Sequence, residues 1–202
     1  MIATLGVPLT LEERLQQEQS VLYCPATFEQ YIELLDEVEY TIEYHKDNII
    51  ALSYASQLHE EIVANLIYEL QVTYRKSSMR VLGSNQRIHV ESSVSNFAPD
   101  VAMARDVVRQ KELGPKKTAI LNPYLVVEIL SEGTRKYDMG VKLPAYKTVA
   151  SLEYILYLDS EQVAATLYSR DENRRWRSQD YDADFGYMPI GEATIELASL
   201  YS

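Results

Sequence analysis

Pro123-Tyr124-Leu125-Val126-Val127-Glu128-Ile129-Leu130 is the stretch that most limits how this chain can fold. A nearly unbroken apolar run of strand length reads as a strand covered on both faces, because a strand wetted on one side would alternate. A sheet with material packed on each side follows. Inside that run Glu128 is the one carboxylate, and an ionised group among hydrocarbon neighbours needs a partner. An Arg or Lys, water at the strand end, or a cation would each serve.

Helix and strand patterns surround this strand. Residues 9–20, LTLEERLQQEQS, read as a short charged helix with Thr10 at its cap, and residues 27–37, TFEQYIELLDE, as another capped by Thr27. IEYHKDNIIALS reads as two short strands joined by the turn His45 to Asn48, with Glu43 on the first. From Leu58 to about Arg75, Ile62, Leu66 and Leu70 with neighbouring Val63 and Ile67 fall at helical spacing, behind a cap near Ser56. RVLGSNQRIHVES alternates as a hairpin-like pair around Gly83 to Asn85, and APDVAMA is a third short strand beginning at Pro99.

RDVVRQKELGPKKTAILN is polar, carries Gly114 and Pro115, and reads as a loop. Beyond the apolar strand, TRKYDMGVKLPAYKTVA is expected to be helical and LEYILYLD to be a second central strand. VAATLYSR and RRWRSQDY then form a closing antiparallel pair, and IELASLYS docks as a last turn. Together these give a mixed α/β domain around one central sheet. No GxGxxG or GxxxxGK[ST] run points to a Rossmann or P-loop domain.

Pro99-Asp100-Val101-Ala102 supplies a second carboxylate, at a strand start where proline limits the preceding backbone. Alone it is an ordinary turn residue; beside Glu128 on a neighbouring strand it would make a cation site. Asp138, Lys142 and Tyr146 recur every four residues and share a helical face. Pro144 interrupts that helix, so either it kinks or a new helix begins near Pro144 with Lys142 in the preceding turn.

The formal charge of −11 argues against loose wrapping of nucleic acid, which depends on Lys and Arg neutralising phosphates, so any such contact must be local. Carboxylates that hold a divalent cation are compatible with that acidity, because the cation reverses the local field. A single cysteine, Cys24, leaves no intramolecular disulfide and suits a reducing cytoplasm. The start MIATLGVPLTLEERLQQ lacks the basic and apolar regions of a signal peptide, and no stretch is apolar enough to span a membrane, so a soluble cytoplasmic protein is expected. Arg87, Arg105, Arg109, Lys111, Lys116 and Lys117 form a basic band flanking Asp100, suited either to phosphate contacts or to a solvated loop. Trp176 among Arg174, Arg175 and Arg177 reads equally as a stacking residue or as edge-strand packing.

From about Thr27 to Tyr168 several motifs recur in a familiar order: Glu43 within IEYHKDNIIAL, His59 opening the long helix, Pro99-Asp100-Val101, and Asn122-Pro123 leading to Val127-Glu128-Ile129-Leu130-Ser131. Thr134, Tyr137-Asp138, Lys142, Tyr146 and Glu153-Tyr154 follow. In this the chain resembles the Uma-type, restriction-endonuclease-like proteins, a branch of the PD-(D/E)XK nuclease superfamily. The resemblance implies a restriction-endonuclease-like α/β fold, a mixed central β-sheet flanked by helices over residues 27–202, behind an N-terminal helical extension at residues 1–26.

It further implies that Asp100 and Glu128 bind Mg2+ (or Mn2+), which would hold the scissile phosphate and activate a water. The lysine that ordinarily stands two residues after the Glu is Leu130 here, and the resemblance offers Lys142 in its place. Glu43 would be an additional acid facing the same cavity, although His45-Lys46-Asp47-Asn48 replaces the family's usual Asp-Gly-Glu turn. His59 would touch a phosphate or cap its helix, and Arg87 and Tyr146 would contact substrate. The expected activity is metal-dependent endonucleolytic hydrolysis of DNA, by a homodimer because double-strand cutting needs two sites. The alternatives are RNA or a small phosphodiester as substrate, and a catalytically inactive binding or dimerisation module with Leu130 and Pro144 as traces of lost activity.

Overall fold

The structure, a computed structural model, describes residues 5–105, 108–114 and 117–202. Helix α1 (Leu11–Leu15) starts at Thr10, whose hydroxyl accepts from Glu13 N at 3.1 Å while the Glu13 carboxylate accepts from Thr10 N at 3.2 Å. It ends sooner than the charged stretch to residue 20 suggests, because the chain turns to lay down strand β1 (Val21–Pro25). The buried guanidinium of Arg14 donates to the carbonyls of Gln19, Ser20 and Ala51 at 2.9, 2.8 and 3.1 Å, so backbone acceptors beyond the helix hold it to the sheet. Helix α2 (Phe28–Leu34) is capped in the same reciprocal way by Thr27 and Gln30.

Strands β2 (Ile42–His45) and β3 (Asn48–Leu52) form the expected hairpin. Both turn residues, Lys46 and Asp47, have positive φ (44° and 61°), the hand that matches the twist of a two-residue hairpin. Helix α3 (Gln57–Tyr74) begins at Ser56, whose hydroxyl accepts from His59 N at 3.2 Å, and it buries Ile62, Val63, Leu66, Leu70 and Tyr74.

Strands β4 (Arg80–Gly83) and β5 (Arg87–Val90) flank a turn in which Gln86 N donates to Gly83 O at 3.0 Å. They are nevertheless not a hairpin pair. Strand β4 ladders onto β7 (Val101–Ala104), and β5 onto β6 (Ser95–Phe97), so non-local partners satisfy their backbone groups. The polar segment expected to be a loop contains β8 (Gln110–Gly114) and β9 (Lys117–Ile120), which pair antiparallel, and β9 also runs parallel to β5.

Strand β10 (Pro123–Leu130) leads into helix α4 (Arg135–Tyr137), a π turn over Asp138–Lys142 and helix α5 (Leu143–Tyr146). In the π turn Leu143 N donates to Asp138 O, five residues back, and Pro144 falls in the first turn of α5, where its missing N–H is not needed. Lys142 thus stands in the turn before a new helix. The chain closes with β11 (Tyr154–Asp159), β12 (Ala164–Arg170), β13 (Trp176–Asp182), β14 (Tyr187–Ile190), β15 (Ala193–Glu196) and a 3-10 turn over Leu197–Tyr201.

Among the described residues the strands divide between a seven-stranded sheet, β1-β3-β2-β6-β5-β9-β8, and a six-stranded sheet, β13-β12-β11-β10-β7-β4, with β14-β15 apart. The α/β class is as expected, with two large sheets sharing the strands assigned to one. All eight residues of β10 are buried between β7, antiparallel, and β11, parallel. Its side chains alternate: Leu125, Val127 and Ile129 pack with Ile62, Leu66 and Leu70 of α3, each burial contributing roughly 1.5–3 kcal/mol. Val126 and Leu130 face Ile50, Ile88 and Phe97 of the seven-stranded sheet together with Tyr137, Leu143 and Tyr146. By the same alternation Glu128 points into the layer between the sheets. Among the described residues no helix is long and apolar enough to cross a membrane.

Candidate functional site

Register brings the two carboxylates expected from sequence together. Val127 of β10 pairs with Val101 of β7, so Asp100 stands one step beyond the ladder, level with Glu128. Asp100 Oδ2 accepts from Ile129 N at 2.7 Å, which fixes it against the residue next to Glu128. Both acids line one cleft of about 430 Å³, with His59, Asp138 and Lys142 also on its wall.

His59 lies in the first turn of α3, where Ser56 supplies the cap and leaves the imidazole free for another use. Its Nε2 is 3.2 Å from Asp100 Oδ2. Burial alone would lower the His59 pKa; the hydrogen bond and charge of Asp100 outweigh it and hold the imidazole above its ordinary value. Both contacts to Asp100 fall on Oδ2, and Oδ1 accepts from neither.

Behind this pair lies a buried charge cluster. Lys142 Nζ is 3.0 Å from Glu128 Oε2, 3.0 Å from Glu43 Oε1 and 3.1 Å from Asp138 Oδ1. Lys142 donates a hydrogen bond to Glu128 Oε2, and Glu43 and Asp138 complete its surroundings as ion-pair partners. Tyr146 donates its hydroxyl to Glu128 Oε1 at 2.7 Å and Tyr137 donates to Glu43 Oε2 at 2.6 Å, while Ala98 N donates to Glu43 Oε1 at 2.8 Å. The elements that converge are β2 for Glu43, β10 for Glu128 and the π turn for Asp138 and Lys142.

Three carboxylates around one ammonium leave an excess of negative charge where water is scarce, with Lys142 only 2% and Glu128 only 3% exposed. Burial pushes the Glu128 carboxyl well above the usual range, Lys142 opposes this, and the like charges of Asp138, Asp100 and Glu43 add to it. Burial likewise raises Glu43 against the pull of Lys142, Tyr137 and Ala98 N. For Lys142 burial works downward, but Glu128, Glu43 and Asp138 outweigh it and hold the ammonium well above its ordinary value.

Among the described residues no group of three or more His, Cys, Asp or Glu side chains is arranged to hold a metal by itself. Mg2+ characteristically takes one or two carboxylates and completes its shell with water and phosphate oxygens. Asp100 and Glu128, adjacent on one cleft and both oxygen donors, fit that demand.

The other candidates separate. Glu43 is fully buried behind Lys142 and does not line the cleft. Tyr146 is also fully buried and reaches the cleft only through Glu128. Arg87 lies in an adjoining depression with Lys117, continuous with the cleft along Glu39, Tyr40 and Thr41, and its Nε donates to Tyr31 Oη at 3.1 Å. Three other side chains of the basic band are engaged elsewhere, Arg105 over the Tyr124 ring, Lys111 on His89 Nε2 and Lys117 on Asp36, while the backbone N of Arg109 donates to Asn122 Oδ1 at 2.7 Å. Lys116 lies outside the described residues. Trp176 packs at the sheet edge, donating to Lys147 O at 3.1 Å beneath Arg170.

Tyr137 is the group whose role was not readable. Its contact with Glu43 joins residues 94 apart, and the π turn, by bonding five residues back, turns Tyr137 and Lys142 toward each other, with Nζ 5.3 Å from the ring centroid. Asp138 carried a signal, its four-residue spacing from Lys142.

A family model described as "Uma2: Putative restriction endonuclease" matches residues 28–199. Two uncharacterized proteins of Synechocystis sp. are similar: sll1609 at 24% identity over 169 residues, covering 81% of this chain and 94% of that protein, and slr1290 at 26% over 155 residues, covering 77% and 80%. The crystal structure of a "putative nuclease belonging to DUF820" from Anabaena variabilis superposes with a TM-score of 0.68 at 17% identity, covering 88% of this chain and 98% of that one. At that identity the likeness is one of fold.

Proposed function

The chain belongs to the Uma2 family, described as "putative restriction endonuclease", and from that premise we propose that it is a divalent-metal-dependent endonuclease hydrolysing DNA phosphodiester bonds in the cleft of Asp100 and Glu128. The observation that carries this is the meeting of those two carboxylates from adjacent strands, beside a buried cluster with more acids than cations. Asp100 and Glu128 would hold Mg2+ or Mn2+. When bound, such an ion supplies Lewis acidity to the scissile phosphate and lowers the pKa of a water on it.

The protein's own groups prepare that site. Tyr146 holds Glu128 through Oε1, and Lys142 holds it through Oε2, so the carboxylate cannot rotate out of the cleft. Ile129 N and His59 do the same for Asp100. Lys142 brings a buried positive charge to the cleft wall, where it can offset charge developing on phosphate oxygens. Glu43, sealed from the cleft, and Asp138, on its wall, position Lys142. His59 spends Nε2 on Asp100 and buries Nδ1, so on the cleft wall it positions that carboxylate. A homodimer would bring two such clefts to the two strands of a duplex.

One observation favours a second reading, a binding or dimerisation module on the same fold: the Lys142 ammonium is already surrounded by three carboxylates. Calorimetric titration with Mn2+ and a supercoiled-plasmid nicking assay divide the two. The nuclease binds the ion and nicks, and both Asp100→Asn and Glu128→Gln abolish nicking and weaken ion binding. A wild-type protein indifferent to Mn2+ and Mg2+ would refute the nuclease.

A further inference from the structure

Tyr54 is 72% exposed, on the rim of the cleft whose inner wall carries Asp100 and Glu128. A tyrosine so placed leaves most of its ring in water, and no described residue offers it a hydrogen bond or a ring partner. Its backbone is nevertheless held on both sides. Ser53 N donates to Ser20 O at 2.9 Å, and Ser56, two residues on, caps α3. The backbone that carries the ring is therefore anchored at the rim, which lowers the ordering cost of using it as a contact surface.

The cleft that this ring borders suits something smaller than a duplex. Its volume of about 430 Å³ lies in the range of pockets that enclose one small molecule. The acids lie deep: the Glu128 residue is 3% exposed and the Asp100 side chain 18%. A phosphodiester must descend to reach them, and a strand stacked and paired in a regular helix cannot do so without taking a nucleotide out of the stack. Charge points the same way. Among the described residues Lys142 is the one Lys or Arg on the lining, while Glu39 and Glu60 add carboxylates, so these residues lay no cationic track for a duplex backbone and affinity has to come from local contacts. Stacking on an aromatic ring is such a contact, available to any unpaired base.

We infer that the cleft takes one unpaired DNA nucleotide with its base stacked on Tyr54, and hence that the preferred substrate is single-stranded or locally unpaired DNA rather than continuous duplex. This rests on the nuclease reading above and names its substrate class. The test compares a fluorescein-labelled oligothymidylate with a blunt, fully paired two-strand duplex of equal nucleotide count. Anisotropy in Ca2+ reads binding, cleavage of both in Mn2+ reads turnover, and thermal melting confirms the fold of each variant.

The single strand is expected to bind and to be cut in preference to the duplex by about tenfold or more. Tyr54→Ala should weaken its binding roughly 5- to 150-fold, the value of one base–aromatic stack, and Tyr54→Phe should stay within about twofold of wild type. Equal or better cleavage of the duplex, or a Tyr54→Ala protein that binds the single strand as wild type does, overturns the inference while the nuclease reading stands, provided Asp100→Asn still abolishes cleavage. Failure to bind or cut either substrate overturns both.

Discussion

Replacing Lys142 with methionine keeps most of the side-chain volume and removes the one positive charge that three buried carboxylates share. In the folded protein each of its contacts at 3.0–3.1 Å corresponds to roughly 5 kcal/mol of Coulombic attraction at an effective dielectric near 20, set against a desolvation cost of several kcal/mol per ion. The net value of the cluster is therefore small, but breaking it is not: removing one partner of a buried ionic group typically costs about 3–5 kcal/mol, because the other charges stay in place without compensation. For a chain of 202 residues that corresponds to a melting temperature lower by about 6–20 °C. Lys142→Met should show this loss in urea denaturation at neutral pH, in the presence of a chelator, and adding Glu43→Gln should recover part of it by removing one stranded charge. A Lys142→Met protein within about 1 kcal/mol of wild type, or one made less stable still by Glu43→Gln, would refute the reasoning that these carboxylates are ionised around a shared ammonium.

Two further outcomes follow from individual contacts. Tyr146→Phe deletes the hydroxyl that holds Glu128 Oε1 while keeping the ring packed against Phe97, so Mn2+ affinity or nicking should fall about 10- to 100-fold with the fold intact, and unchanged values of both would remove Tyr146 from the site. At His89, burial lowers the pKa, the Asn96 carbonyl oxygen on Nδ1 opposes this, and the Lys111 ammonium on Nε2 lowers it again, for a folded value below the ordinary 6.5. A depressed pKa favours the neutral ring, so its stabilising share is complete above about pH 6.5 and is lost as pH falls through the folded value. The urea midpoint of wild type should decline in that window more steeply than that of His89→Gln; parallel profiles would show that His89 is not responsible.

Several elements were legible because their causes are local. The caps at Thr10, Thr27 and Ser56 and the apolar spacing of α3 depend on residues within a few positions of one another, and the structure has them at those residues. The apolar length of β10 demanded burial on both faces, and it is the all-buried strand between β7 and β11. Asp100 and Glu128 were visible as a pair because one opens a strand and the other interrupts an apolar one, and two acids on neighbouring strands have few ways to avoid each other.

What the chain's own pattern could not decide is where strands find partners and which charges lose their water. The polar, weakly alternating residues of β8 and β9 become strands because β5 offers an edge, and β4 parts from β5 because β7 offers a ladder. Glu43 and Arg87 each looked like a residue of the cleft, yet one is sealed behind Lys142 and the other opens into the depression next to it. Hydrogen-bond ladders and desolvation depend on groups tens of residues away, brought close only when both sheets and the π turn have closed around them. Sequence alone determined the covered strand, its costly acid and the aspartate beside it; tertiary structure decided that Lys142 would be shared with Glu43 and Asp138 and that Tyr146 would hold Glu128.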